Sequence, residues 1–244
     1  MDKEEYEIMY RLEDTHWWYV GMRRIVQGML ERLLPQQSGL RVLDAGCGTG
    51  GMISSLTRYG TVVGIDASPE AIEFCRRSDV RHLAQASVTH LPFEDSTFDL
   101  VVSFDVLYHQ AVKDDRYALN EFHRVLKPDG HVLLRLPAFD WLRGSHDVRV
   151  HTRQRYRASE IKRKLEGSGF DVEKVTYANT ILFPLAVVRR ACQAALRSQP
   201  ASDVKPTLPT INRLLTGVLG IEGTLIRHTS LPWGLSVLAW ARRA

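Results

Sequence analysis

An α/β architecture built on a doubly wound, mainly parallel sheet is what this sequence predicts, on three observations. Short apolar runs bounded by turn residues recur along the chain, helical patterns fill the gaps between them, and the first run ends in a glycine-rich turn. Strands that read as continuous apolar runs are buried on both faces, and their alternation with helices is the pattern of a sheet covered on both sides.

The elements follow in order. A helical region over 4–34 comes first. LRVLDAG (40–46), VVGIDAS (62–68), FDLVVSF (98–104) and HVLLRLP (131–137) read as buried strands. Helical patterns lie between them at 51–59, at PEAIEFCRR (69–77) and at DDRYALNEFHRVLK (114–127), the last closed by Pro128 and Gly130. A helix over 158–168, a strand FDVEKVTY (170–177) and a last strand GLSVLAWA (234–241) complete the pattern. The 178–233 stretch is too long for a simple connection and reads as a helical insertion between the last two strands.

Composition sets the limits. The chain has 244 residues, 44% hydrophobic and 25% charged, which fits one ordinary globular domain with insertions. The opening MDKEEYEIMYRLED is acidic and unlike a secretory signal, and no window is apolar enough to span a bilayer, so the chain reads as cytoplasmic. Cys47, Cys75 and Cys192 are odd in number and without C-x-x-C spacing, which predicts buried thiols rather than a disulfide framework or a zinc site. Charge is unevenly spread. Residues 1–142 hold 15 Lys/Arg against 21 Asp/Glu, net −6, and residues 143–244 hold 17 against 7, net +10. The densest basic run, 141–164, is expected to be a solvated face or the contact for an anionic partner.

The glycine turn carries the chemistry. Gly46, Gly48 and Gly51 have G-x-G-x-x-G spacing, which lets a ligand approach the backbone closely but serves dinucleotides and other adenosine ligands alike. Asp66, ending the second strand, suits ribose hydroxyls of either ligand. Asp44 separates the two. A carboxylate at the mouth of the turn repels a pyrophosphate and attracts a ligand bearing ammonium and sulfonium charges. That ligand is S-adenosylmethionine.

Together VLDAGCGTG, VVGIDASPEAI, LPFEDSTFDLVVSFDVLYH and EFHRVLKPDGHVLL resemble, in order and spacing, the successive motifs of class I S-adenosylmethionine-dependent methyltransferases. The resemblance implies a Rossmann-like seven-stranded sheet. It implies a single domain comprising an N-terminal helical lid (1–37), a cofactor-binding core (38–137), a substrate-side loop, helix and strand (138–177), the insertion (178–233) and the last strand (234–244). It implies cofactor contacts at Asp44, Gly46, Cys47, Gly48, Gly50, Asp66, Ala67, Ser87, Val88 and Phe104. Ser87 stands where relatives often carry Asp, which leaves the adenine amino contact to Ser87 or to backbone near Val88.

The opening THWWYVGMRR is similar to the HWW-x-x-G-x-R start of bacterial methyltransferases that often act on surface glycans or secondary metabolites. Trp17, Trp18 and Tyr19 either pack a helix onto the sheet or form a lid, with Arg23 or Arg24 meeting an anionic acceptor group. Tyr108 and Arg155 complete the expected substrate-binding set. Methyl transfer asks for alignment, exclusion of water and one base. His109, just past the fourth strand, is the first expectation, then His146 and His151, with Asp147 able to orient either. No metal is expected from these residues. Ser103, Phe104, Asp105 and Val106 lack the Asn/Asp-Pro-Pro-aromatic pattern of enzymes that methylate base or glutamine amino groups.

These observations favour O-methylation of a small-molecule, sugar or lipid-linked glycan acceptor, anionic groups included. The alternatives are an N- or C-methyltransferase of a secondary metabolite and a non-catalytic, methyltransferase-like binding partner. DNA is not an expected partner, and RNA is disfavoured because no aromatic residues interleave with the basic run. The amphipathic, basic insertion admits a pocket cap, a dimer surface, or peripheral contact with an acidic membrane at its inner face. The sequence does not set the oligomeric state.

Overall fold

The computed structural model describes residues 1–35, 37–78, 80–195 and 206–244. Seven strands form one sheet in the order β3-β2-β1-β4-β5-β7-β6. They are β1 (Leu40–Ala45), β2 (Gly60–Asp66), β3 (Leu83–Gln85), β4 (Phe98–Phe104), β5 (Leu126–Pro137), β6 (Phe170–Ala178) and β7 (Ser236–Arg243). β1 to β5 run parallel, and β7 inserts antiparallel between β5 and β6. Strand order reverses between β1 and β4, the place where open α/β sheets part at their carboxyl edge to admit a ligand.

Nine helices among the described residues cover the two faces. They are α1 (Lys3–Leu12), α2 (Trp17–Leu33), α3 (Ile53–Leu56), α4 (Pro69–Arg77), α5 (Asp115–Val125), α6 (Ser145–Arg149), α7 (Ala158–Glu166), α8 (Phe183–Ala195) and α9 (Pro209–His228). On one face Met22, Ile25, Val26, Met29 and Leu30 of α2, recurring at helical spacing, pack onto Leu133, Leu238 and Trp240. Gly21 and Gly223 let α9 press close to α2, because a Cβ on Gly21 would lie 2.3 Å from Leu219 Cδ1. On the other face Leu119 and Phe122 of α5 join Ile161 and Leu165 of α7 over Phe98 and Leu134.

The seven-stranded sheet and the helical insertion match expectation, and the differences have local causes. The 4–34 region breaks into two helices where His16 caps α2 by accepting the Trp18 N–H at 3.3 Å. The expected 51–59 helix contracts to α3. β3 has only three residues, too few to show a period. β5 starts at Leu126, ahead of the Pro128–Gly130 stop signal, because Leu126 pairs with Phe98 before the register shifts. Cys192 is exposed on α8, which corrects the expectation of three buried thiols; Cys47 and Cys75 are buried. The 196–205 part of the insertion lies outside the described residues.

The basic run 141–164 is largely spent on internal pairing. Arg149 meets Glu4 and Glu5 at 2.8 and 2.7 Å, and Arg155 meets Asp147 at 2.9 Å. Asp115, buried at the start of α5, accepts from Lys164 Nζ and the Tyr156 hydroxyl, both at 2.8 Å, and from Gln154 at 2.9 Å. This hub ties α5 to α7. Replacing Asp115 with alanine strands those donors, and urea unfolding is expected to show a loss of about 3 kcal/mol, whereas a change under 1 kcal/mol would contradict the assignment.

Candidate active site

Asp44 ends the central strand beside Gly64 of β2 and Val102 of β4, at the point where the strand order reverses. The glycine turn follows it. Gly46 has φ +96°, and a Cβ there would lie 2.1 Å from Val106 Cγ2, so only glycine fits both the backbone and the close approach of the β4 loop. Asp66, at the end of β2, fastens the turn: it accepts the Gly48 N–H at 3.0 Å and the Ser68 N–H at 2.9 Å. The Ala86 N–H donates to the Asp66 carbonyl at 3.0 Å, bringing the Ser87–Val88 loop to the same edge. Asp44, Gly46, Cys47, Gly48, Asp66, Ala67, Ser87 and Val88 thus gather around one crevice, with Gly50 and Phe104 at its sides.

The electrostatics of the crevice are unusual. Asp44 is 2% exposed, and its Oδ2 finds no hydrogen-bond partner among the described residues. Burial, and then the neighbouring Asp66 charge, push its carboxyl up to about 7, with Arg135 acting weakly in the other direction. A buried acceptor without a donor is costly, and a cation lodged there relieves it.

Helix α1, part of the 1–37 stretch expected as a lid, packs over this turn through residues that the sequence did not single out. Tyr6, Met9 and Tyr10 pack with Ala71 and Phe74 of α4, and Met9 Cε reaches within 3.0 Å of a Cβ built on Gly48. Glu13 accepts the Thr49 hydroxyl at 2.6 Å, and burial raises its carboxyl to about 7. A Cβ on Gly51 would meet Glu13 Oε2 at 2.3 Å, which gives the third glycine of the spacing a role in seating this helix. No local period announces such contacts, because they join residues more than 30 positions apart.

Trp18, among the N-terminal aromatics, reaches the ends of β4 and β5. Arg135 ion-pairs with Asp105 at 2.7 Å and lies 5.2 Å from the ring centres of both Trp18 and Phe104. Asp105 adopts φ +56°, a strained conformation of the kind that collects at functional edges. Arg135 was not singled out from the sequence, and Asp105 was read there only for the amino-methylation pattern that its stretch lacks. Tyr19 and Tyr108 are held above the ordinary phenol range, mainly by burial and then by neighbouring carboxylates. Trp17 instead donates its backbone N–H to Asn212 Oδ1 of α9 at 2.7 Å. Arg23 turns away from the crevice: it pairs with Asp14 at 3.0 Å and with the Glu13 carbonyl. Arg155 is likewise committed to Asp147 and to the Ala138 carbonyl.

The three histidines separate. His109 follows β4 at the crevice; its Nδ1 accepts the Ala111 N–H at 3.1 Å, and its Nε2 is 2.8 Å from the Met1 amine. Burial first, then that amine and His151, hold its imidazole down at about 4. The His151 ring lies 5.6 Å from that of His109 at a tilt of 37°, and its Nε2 is 2.9 Å from Asp2. His146 lies 4.0 Å from Glu5. Asp147, bound to Arg155, orients neither His146 nor His151.

Known proteins are similar to this chain. Residues 43–134 match the family model described as a methyltransferase domain. A Mycolicibacterium smegmatis protein named "Probable S-adenosylmethionine-dependent methyltransferase" is 31% identical over 172 residues, 66% of this chain and 62% of that protein. The malonyl-(acyl-carrier protein) O-methyltransferase of Yersinia pestis is 27% identical over 210 residues, 85% of this chain and 70% of that protein. An S-adenosylmethionine dependent methyltransferase structure from Mesorhizobium loti superposes with a TM-score of 0.58 at 20% identity, covering 88% of this chain and 95% of that one. The chain therefore spans under two thirds of the length of the first of these relatives. The matched domain holds the glycine turn, Asp66, the Ser87 loop and His109, while α1, α2, α8 and α9 fall outside it.

One consequence of a carboxyl raised from its unfolded value is a pH-dependent stability. Asp44 binds its proton more tightly when folded, so the stability it contributes is complete at acid pH and is lost as pH rises through about 7. Between pH 6 and 8 thermal melts of the ligand-free protein are expected to fall by about 2–4 °C on this account, and Asp44→Asn is expected to lessen the drop. An equal drop in the variant would contradict the assignment.

Proposed function

We propose that this protein is an S-adenosylmethionine-dependent methyltransferase acting on an oxygen of a small-molecule, sugar or lipid-linked glycan acceptor. The carrying observation is Asp44: a buried carboxyl whose Oδ2 has no hydrogen-bond partner among the described residues, poised near neutrality at the mouth of a glycine turn, suits a cationic ligand and disfavours a pyrophosphate. The residues present fit the cofactor. Asp44 and the turn from Gly46 to Gly50 would hold its methionine end, Asp66 and Ala67 its ribose, and the Ser87–Val88 loop its adenine.

When bound, S-adenosylmethionine supplies an electrophilic methyl group with a good leaving group already attached. The protein's contribution is alignment and proton removal. Trp18 and Tyr19 at the start of α2, with Phe104, wall the acceptor side and keep water out. His109 is neutral at physiological pH because its imidazole is held at about 4, and it serves as the base at Nε2 in the Nδ1–H tautomer, which requires the Met1 amine to leave Nε2 and the Ala111 N–H to give up Nδ1. Acceptance of an oxygen nucleophile accords with the Yersinia pestis relative, whose name specifies an O-methyltransferase.

The test is formation of S-adenosylhomocysteine by the purified protein with a panel of hydroxylated acceptors, sugar nucleotides and lipid-linked glycans first. His109→Ala is expected to keep cofactor affinity within about twofold and to lower turnover about 100-fold. Undiminished turnover in that variant would remove His109 from the mechanism, and cofactor binding without product on any hydroxyl would sink the oxygen assignment.

A further inference from the structure

Two thiols that the proposed reaction does not use meet at the glycine turn. Cys47 lies inside the turn, between Gly46 and Gly48, and Cys75 comes to it from the last turn of α4. Their sulfurs are 3.7 Å apart, and both side chains are free thiols. Contact with each other is what separates them from thiols that merely fill a core.

Both sulfurs bear directly on the backbone of the turn. The Cys75 thiol donates to the Gly48 carbonyl at 3.2 Å, and its sulfur lies 3.2 Å from where a Cβ on Gly50 would stand. Cys47 is seated as closely. Its N–H donates to the Ile65 carbonyl at 2.8 Å, its carbonyl accepts the Gly50 N–H at 2.9 Å, and a Cβ on Gly64 would lie 3.2 Å from its sulfur. The flanking glycines leave little slack: Gly46 holds φ +96° against Val106, and Gly48 holds φ +56° while its N–H binds Asp66 at 3.0 Å.

Two thiols so placed can be joined by an oxidant that takes two electrons, and hydrogen peroxide is small enough to enter the crevice. Cys47, 8% exposed against 0% for Cys75, is the sulfur it reaches. That sulfur takes one peroxide oxygen, giving a sulfenic acid as the O–O bond breaks and the first water leaves. The Cys75 sulfur then attacks the Cys47 sulfur. The S–S bond forms, the S–O bond breaks, and the departing hydroxyl takes the Cys75 proton as the second water. One peroxide and two thiols thus give one disulfide and two waters. The contact with Cys75, burial and the Asp44 and Asp66 charges hold the Cys47 thiol above its ordinary range, so the pair answers to sustained peroxide rather than to a trace.

The bond changes the turn in two ways. A disulfide has no S–H, so the Gly48 carbonyl loses its donor. It also needs its sulfurs about 2 Å apart, and closing the gap draws Cys47 and α4 together across a turn already fixed at Gly46 and Gly48. We propose that Cys47 and Cys75 form a reversible disulfide under peroxide, which distorts the glycine turn and weakens its hold on the cofactor. That the ligand lost is S-adenosylmethionine rests on the methyltransferase reading; formation of the bond does not.

The test uses the full chain with Cys192→Ser, which silences the exposed thiol, before and after hydrogen peroxide. Intact mass is expected to fall by about 2 Da, with one peptide pair joining positions 47 and 75. Titration is expected to show S-adenosylmethionine bound about tenfold more weakly by the bonded form, with dithiothreitol restoring it. Hydrogen exchange across residues 46–51 reads the distortion without any ligand and is expected to quicken in the bonded form. Adding Cys75→Ala should leave a folded protein that binds the cofactor as the reduced parent does and never shows the mass loss. Thiols that stay unjoined, a mass gain of about 16 Da from oxidation that stops at the sulfenic acid, or a bonded form with unchanged exchange and affinity would each overturn the proposal. A reduced protein that binds no cofactor would overturn the methyltransferase reading, while mass and exchange would still decide the fate of the disulfide.

Discussion

The buried carboxyl of Asp44, whose Oδ2 has no hydrogen-bond partner among the described residues, is the constraint on which the arrangement depends. It is carried into the middle of the sheet by β1, where burial and the nearby Asp66 make its charge expensive, and no donor among the described residues offsets that cost. Folding tolerates it because β1 is fixed on both sides, by β2 and by β4. The stability left unrealised is available to whatever cation enters, so the same placement that weakens the empty protein at alkaline pH strengthens its complex.

Around that point the fold supplies position rather than reactivity. Strand order reverses between β1 and β4, Arg135 holds the strained Asp105 just past β4, and α1 with Glu13 packs over the glycine turn through Met9 and the Thr49 hydroxyl. Raised carboxyls at Asp44 and Glu13, both near 7, mean that the turn and its cover respond to the same pH range.

Much of the core was legible because its signals are local. Asp44, Gly46, Gly48 and Asp66 sit on two strands and one turn whose apolar runs and glycines are contiguous in sequence, and the structure gathers them at one edge. A lid over 1–37 was expected, but the residues that seat it were not legible, since Tyr6 and Glu13 reach residues far along the chain without any period. Arg155 and Arg23 read as free acceptor-binding cations, yet their partners Asp147 and Asp14 claim them, and sequence spacing carries no such pairing. β3 was too short to register, and the beginning of β5 was hidden by Pro128 and Gly130, which ordinarily stop an element. Cys192 was misjudged because exposure on α8 depends on which face of that helix finds a partner.

The most direct test of the central claim is the S-adenosylmethionine affinity of the purified protein by isothermal titration between pH 8 and pH 6. With Asp44 poised near 7 and the cofactor preferring its ionised form, affinity is expected to fall about tenfold over that interval, and the titrations should show proton release on binding. An affinity that is flat across the range, or that tightens on acidification, would contradict the role assigned to Asp44.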